Sequence, residues 1–146
     1  MSEGIGARVL RKEDKRFITG KGRYTDDIVE DNQAYAAFVR SPHAHARIVS
    51  IDTTAAMKME GVETVLMGPE LVADGIGNII CGWGVTSKDG SPMNMGAWSA
   101  LATEKVRYVG DAVAIVVADT KSLAKLAAES VVVTYEELPV VVGSVQ

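Results

Sequence analysis

Apolar residues run without a break from Ala112 to Ala118, Asp119 and Thr120 interrupt them, and Leu123, Ala124, Ala127, Ala128 and Val131 then recur at threes and fours. The first pattern predicts a strand. The second places its apolar residues on one side of a 3.6-residue helix, with Lys121, Lys125 and Glu129 on the other. Asp119 or Thr120 caps this helix by accepting backbone N–H bonds that the first turn leaves unused. After Ser130 the period changes, and the β-branched and aromatic run Val131 to Tyr135 suits a pleated surface. A helix between two strands needs a sheet to lie on, so this unit is expected in the core.

A weaker copy precedes it. Ala46 to Ile51 alternates and ends at Asp52, Thr53 and Thr54; Ala55, Ala56 and Met59 form a short apolar stripe; Gly61 stops the turn; Val62 to Met67 returns as a strand. Two units of similar phrasing suggest a pseudo-repeated α+β domain, although coincidence explains the likeness equally well. Gln33 to Arg40 is a further strand, apolar on both sides and therefore expected to be well covered, and Ser41-Pro42 ends it because proline lacks a ladder donor. Met1 to Lys15 has no sustained period and reads as a surface segment. Gly20 and Gly22 mark a tight turn feeding an exposed strand or loop. Pro69 to Val72 starts a short helix, and 74–84 is loop or irregular strand. Thr86 to Trp98 is the least regular stretch, an excursion more natural if it reaches another domain or subunit. Val106 to Val109 is a strand, Gly110-Asp111 a bend, and Val140 to Val142 an edge strand or the start of a linker.

At 146 residues the chain is one domain-sized unit, able to bury roughly two thirds of its extended surface. A net charge of −4 and the lack of a Lys/Arg cluster argue against nucleic acid. Arg8, Arg11, Lys12, Lys15 and Arg16 are interrupted by Glu13 and Asp14 and read as a solvated or partner-facing segment. The lone Cys81 makes no intrachain disulfide, iron-sulfur or structural zinc site. No signal-peptide pattern and no apolar run of membrane-spanning length is present, so the cytoplasm is the expected location, away from membranes.

Four features could carry chemistry. His43 and His45, the only histidines, would share a face of an extended segment and could hold zinc or copper with a third ligand that the sequence does not identify. Arg40 and Arg47 flank them and oppose a cation, which favours hydrogen bonding or an interdomain contact. The pairs Asp26-Asp27 and Glu136-Glu137 point their neighbours in opposite directions and make no shared-proton dyad; Asp26 is expected to cap a turn and Asp27 to pair with a base such as Arg23. The Thr19-to-Asp27 run lacks the spacing and ending of a phosphate loop. Cys81 is expected as a small buried hydrophobe, and Trp83, Trp98, Met93 and Met95 as a contact patch or satellite core.

Several stretches together resemble one family. They are Arg16-Phe17 with Thr19-Gly20-Lys21-Gly22-Arg23-Tyr24-Thr25-Asp26-Asp27-Ile28, then Val39-Arg40-Ser41-Pro42-His43-Ala44-His45-Ala46-Arg47-Ile48, then Ile51-Asp52-Thr53 and Gly61-Val62. Leu101-Ala102, Val106-Arg107-Tyr108-Val109-Gly110-Asp111-Ala112-Val113-Ala114 and Val133-Thr134-Tyr135-Glu136-Glu137-Leu138-Pro139 follow in order. The chain resembles the N-terminal α/β hammerhead domain of the large, molybdenum-binding subunit of the xanthine dehydrogenase, aldehyde oxidase and aerobic carbon monoxide dehydrogenase family.

The resemblance implies an α+β fold, a hammerhead with a mixed sheet and two main packed helices, over residues 16–142. Residues 1–15 would be the surface segment and 143–146 the start of a linker or a truncated tail. It implies a non-catalytic structural and assembly domain of a molybdenum hydroxylase, an oxidoreductase of xanthine, aldehyde or carbon monoxide class. The complete subunit would bind a molybdopterin-type molybdenum cofactor, with iron-sulfur clusters and FAD in partner domains or subunits. Partners would be the remainder of the molybdenum-binding subunit, an iron-sulfur domain or subunit and a flavin subunit. No catalytic, cofactor-binding or metal residue maps here; Arg23, Asp26, Asp27, Arg40, His43, His45, Arg47 and Gly110 are expected as structural or interface residues. Asp111-Ala112 departs from the family's glutamate-proline and should leave the bend less fixed. The alternatives are a free-standing small-molecule or protein-binding module and a small metallohydrolase centred on His43 and His45.

Overall fold

The computed structural model describes residues 4–6 and 9–143; Arg8 and the tail beyond residue 143 lie outside them. The chain divides into two compact units, Met1–Gln33 and Ala34–Gln146. In the first, the aperiodic stretch forms a short helix, α1 (Asp14–Ile18). Gly20 at φ 69° ends it, with Gly20 N–H donating to Phe17 O at 3.1 Å and Lys21 N–H to Arg16 O at 2.9 Å. The Phe17 ring stacks on Tyr24 at 5.5 Å. A side chain at position 22 would place its Cβ 2.6 Å from the Phe17 ring, so Gly22 is needed for that closure.

The second unit contains six strands: β1 (Tyr35–Arg40), β2 (Ala46–Asp52), β3 (Val62–Met67), β4 (Lys105–Val106), β5 (Ala112–Ala118) and β6 (Val132–Glu137). Its helices are α2 (Thr54–Met57), α3 (Gly68–Ala73) and α4 (Lys121–Ser130). The strands make two three-stranded sheets, ordered β1-β5-β3 and β4-β2-β6, and every ladder is antiparallel. The single mixed sheet expected from two strand-helix-strand units is therefore corrected. Through α2 the chain passes from the β2 sheet to the β3 sheet, and through α4 it passes back. Strands flanking a helix thus never become neighbours, and β3 meets β5 while β2 meets β6.

The strand β5 reads as an uninterrupted apolar run because both of its faces are covered. Ala114 and Val116 lie in a cluster with Ala56, Val65, Ala127 and Val131, whereas Val113 lies in a second cluster with Ala46, Ala102 and Val106. Ile51 and Val133 pack against both clusters and join them. The helix α4 lies on β1, β5 and β3 and also touches α2. Its contact residues Ala124 and Ala127 are 1 % and 0 % exposed, small enough to let helix and sheet backbones approach closely. Thr120 caps it by accepting the Leu123 N–H at 3.2 Å. Gly61, at φ 86°, accepts the Asp119 N–H at 2.9 Å; a Cβ there would stand 2.9 Å from the Leu123 side chain. The turn that leads from α2 into β3 thus touches the start of α4.

Three local expectations change. β1 is an edge strand whose Ala36, Phe38 and Arg40 are exposed, since helix packing covers one face only. The strand expected over Val106–Val109 stops at Val106, because the chain then turns, with Asp111 N–H donating to Tyr108 O at 3.2 Å. Residues 140–143 join no ladder.

Candidate functional site

Two loops meet at one end of β1 and β5. Ser41 N–H donates to Asp111 O at 2.9 Å and Gly110 N–H donates to Ser41 O at 2.8 Å, continuing the ladder past a bulge at Val39/Arg40. Gly110 has φ 91°, a left-handed conformation suited to glycine, and its carbonyl accepts the Arg40 guanidinium at 2.9 Å. The Asp111 carboxylate accepts the Arg107 N–H at 3.0 Å. The bend at Gly110-Asp111 is tied by the Asp111 carboxylate.

Ser41 is 2 % exposed, with its hydroxyl accepting the His43 N–H at 3.0 Å and donating to His43 O at 3.1 Å. Burial pushes the Tyr135 phenol up, the nearby Ser41 hydroxyl partly offsets this, and the Asp111 charge adds to it. Burial also raises the Tyr108 phenol, with help from the Asp111 carboxylate.

The segment 43–47 then grips the end of β6 and the residues after it, one partner after another. Arg47 pairs with Glu136 at 3.1 Å, and His43 Nδ1 lies 3.4 Å from Glu137, with its ring 4.8 Å from Tyr135. Leu138 N–H donates to His45 O at 3.0 Å, and His45 Nδ1 lies 2.7 Å from Pro139 O. A carbonyl only accepts, so Nδ1 of His45 carries the proton. Among the described residues no three His, Cys, Asp or Glu side chains converge in a group that could hold a metal, and no buried side-chain polar atom lacks a partner.

The remaining predicted residues lie in the first unit. Asp27 accepts the Tyr24 N–H at 2.9 Å, a local cap rather than the expected pair with Arg23, which is exposed; Asp26 lies beside it in the same 3₁₀ turn, Thr25–Asp27. Cys81 is exposed, not buried. Trp83, Met95 and Trp98 are exposed around it, so they form surface and not satellite core. Sequence reasoning missed Ser41, Tyr135 and Asp111 as one network. The signal was the buried serine before Pro42, but nothing local pairs position 41 with position 111.

The sequence pattern of the aldehyde oxidase and xanthine dehydrogenase a/b hammerhead domain matches residues 19–139. The chain belongs to this family. The hammerhead domain is 42 % identical over 137 residues to the large subunit of nicotine 6-hydroxylase from Paenarthrobacter nicotinovorans, covering 94 % of this chain and 16 % of that protein. It is 38 % identical over 148 residues to the carbon monoxide dehydrogenase large chain of Afipia carboxidovorans, covering 96 % of this chain and 16 % of that one. Among solved structures it resembles quinoline 2-oxidoreductase from Pseudomonas putida 86, with a TM-score of 0.78 at 40 % identity over 92 % of this chain and 16 % of the other. The chain therefore spans about 16 % of the length of the relatives it matches.

Another relative, at 37 % identity, is a xanthine dehydrogenase molybdenum-binding subunit from Escherichia coli O157:H7. The relatives are thus oxidoreductases of the molybdenum hydroxylase family, and several are subunits of larger enzymes. The two histidines are held through Nδ1 by Glu137 and Pro139, which orients the rings, and neither is joined by two further His, Cys, Asp or Glu side chains among the described residues. Among the described residues no helix is long and apolar enough to cross a membrane.

Proposed function

We propose that the hammerhead domain, over residues 16–142, is a non-catalytic structural and assembly domain of a molybdenum hydroxylase large subunit acting in the cytoplasm. It stands beside the remainder of that subunit, which holds the molybdopterin-type cofactor. An iron-sulfur domain or subunit and a flavin subunit carry electrons away. Arg40, His43, His45, Arg47 and Gly110 hold the domain's two loops and the end of β6 in place, while Arg23, Asp26 and Asp27 serve the first unit and its contacts.

The observation that carries this reading is the fate of the polar groups that might have run chemistry. His43 lies against Glu137 and Tyr135, His45 against Pro139 and Asp111 on the Arg107 N–H, and among the described residues no three His, Cys, Asp or Glu side chains converge in a group that could hold a metal. The test removes the matched segment from the nicotine 6-hydroxylase large subunit and supplies this chain in trans. Recovery of soluble remainder with molybdenum is expected to rise with the chain present, and the purified chain alone is expected to show no turnover and no stoichiometric molybdenum. Turnover by the chain alone, or no effect on recovery, overturns the proposal.

A further inference from the structure

The excursion between α3 and β4 has no regular structure beyond an isolated bridge, Thr86 to Pro92. Over residues 75–100 its only charged residues are Lys88 and Asp89, both at the tip. The tip closes on itself, Ser87 N–H donating to Ser91 O at 2.8 Å and Asp89 accepting the Ser91 hydroxyl at 2.7 Å. Below the tip, 75–85 and 93–100 carry no charge at all. They are cross-tied by Ile79 N–H to Trp98 O at 2.7 Å and Met93 N–H to Val85 O at 3.0 Å. The first arm presents Ile80 at 89 % exposure, Trp83 at 81 % and Ile79 at 59 %, the second Trp98 at 57 %, and Ile79, Ile80, Cys81 and Trp98 line an apolar notch of about 210 Å³.

We propose that this face is the surface on which the hammerhead domain docks against the remainder of the large subunit, with an apolar side chain of that remainder in the notch. The inference rests on the reading of the domain as part of a larger subunit and adds to it the place of contact. Three observations choose the occupant. An uncharged apolar face of this kind matches permanent interfaces, which resemble a divided core, more than transient ones with a charged rim. A long stretch without secondary structure in a small domain is normally a binding element. In the relatives most of the length lies outside the matched segment, so in those proteins a large body in the same polypeptide stands beside it. A second copy of this chain would leave that body without a seat on it.

Cys81 is the sole cysteine and lies in the notch, so its labelling reads coverage directly. The chain is co-expressed with the nicotine 6-hydroxylase large subunit lacking its matched segment, and maleimide labelling is read on the Cys81 peptide by mass spectrometry. Labelling is expected to slow about tenfold or more in the complex, and Ile80→Glu or Trp83→Glu to cut recovered remainder about tenfold, while Leu126→Glu on the outer side of α4 leaves recovery unchanged. A complex in which Cys81 labels as fast as in the free chain overturns the docking face and leaves the assembly reading standing. Absence of any complex overturns both. Cys81 protected by self-association of the chain, with no remainder bound, makes a second copy the occupant and also overturns the proposal.

Discussion

The ladder-forming body of the second unit and the excursion at 74–100 are both rich in apolar residues, yet one buries them and the other displays them. In the body, period decides the outcome: β5 alternates its side chains into two clusters, and α4 sets Ala124 and Ala127 on the sheet at threes. In the excursion, Gly75, Gly77, Gly82, Gly84, Gly90 and Gly96 break any run before a helix or a paired strand can form. Its residues are held by a few cross-ties at one level and leave Ile80 and Trp83 in solvent. Apolar character is therefore insufficient for burial. A repeating backbone must first hold one face toward a partner, and where it does not, the partner has to come from elsewhere.

Truncation in the body should do the greatest damage. Val116→Ala removes two methyl groups from a position with no solvent exposure in the central strand, and unfolding by urea should register a loss of about 2.5 kcal/mol. A null result would mean that the two clusters are not a close-packed core. A smaller effect separates the two helical units. Thr120→Ala should cost about 1 kcal/mol, because its hydroxyl caps α4, whereas Thr53→Ala should cost less than about 0.5 kcal/mol, because Thr53 makes no such bond to α2.

Alkaline titration probes the network between the loops. A phenol raised in the folded state contributes stability that is complete below its unfolded value, about 10, and is lost as pH rises through the folded one. Tyr135→Phe should reduce the fall in thermal midpoint above that pH without abolishing it, since Tyr108 is raised as well. An unchanged alkaline limb would contradict the burial of the Tyr135 phenol. The smallest effect belongs to the excursion: Ile80→Ser should change the stability of the chain alone by no more than about 0.5 kcal/mol, measured by the same urea titration. A loss comparable to that of Val116→Ala would show the excursion to be core after all.

The residues at which the helix α4 begins and ends, and the limits of β3 and β5, were legible locally because each is marked by a change of period or by a capping side chain. The helix α1 was not, since five residues offer too short a window for period to register, and neither was the early end of β4, where a local turn from Tyr108 to Asp111 overrides the β-branched and aromatic residues that suggested a longer strand. The His43–His45 pair was visible as a pair, but its partners were not: they lie some ninety positions along the chain at Glu137 and Pro139.

Periodicity and turn chemistry, both properties of neighbouring residues, determined by themselves which segments became strands and helices and that the domain would be α+β. Whether those strands joined one mixed sheet or two antiparallel ones, which histidine met which carbonyl, and which apolar side chains stayed uncovered were settled only in three dimensions. Such pairings depend on contacts between residues far apart in the chain, and no local pattern encodes the choice among partners of similar hydrophobicity.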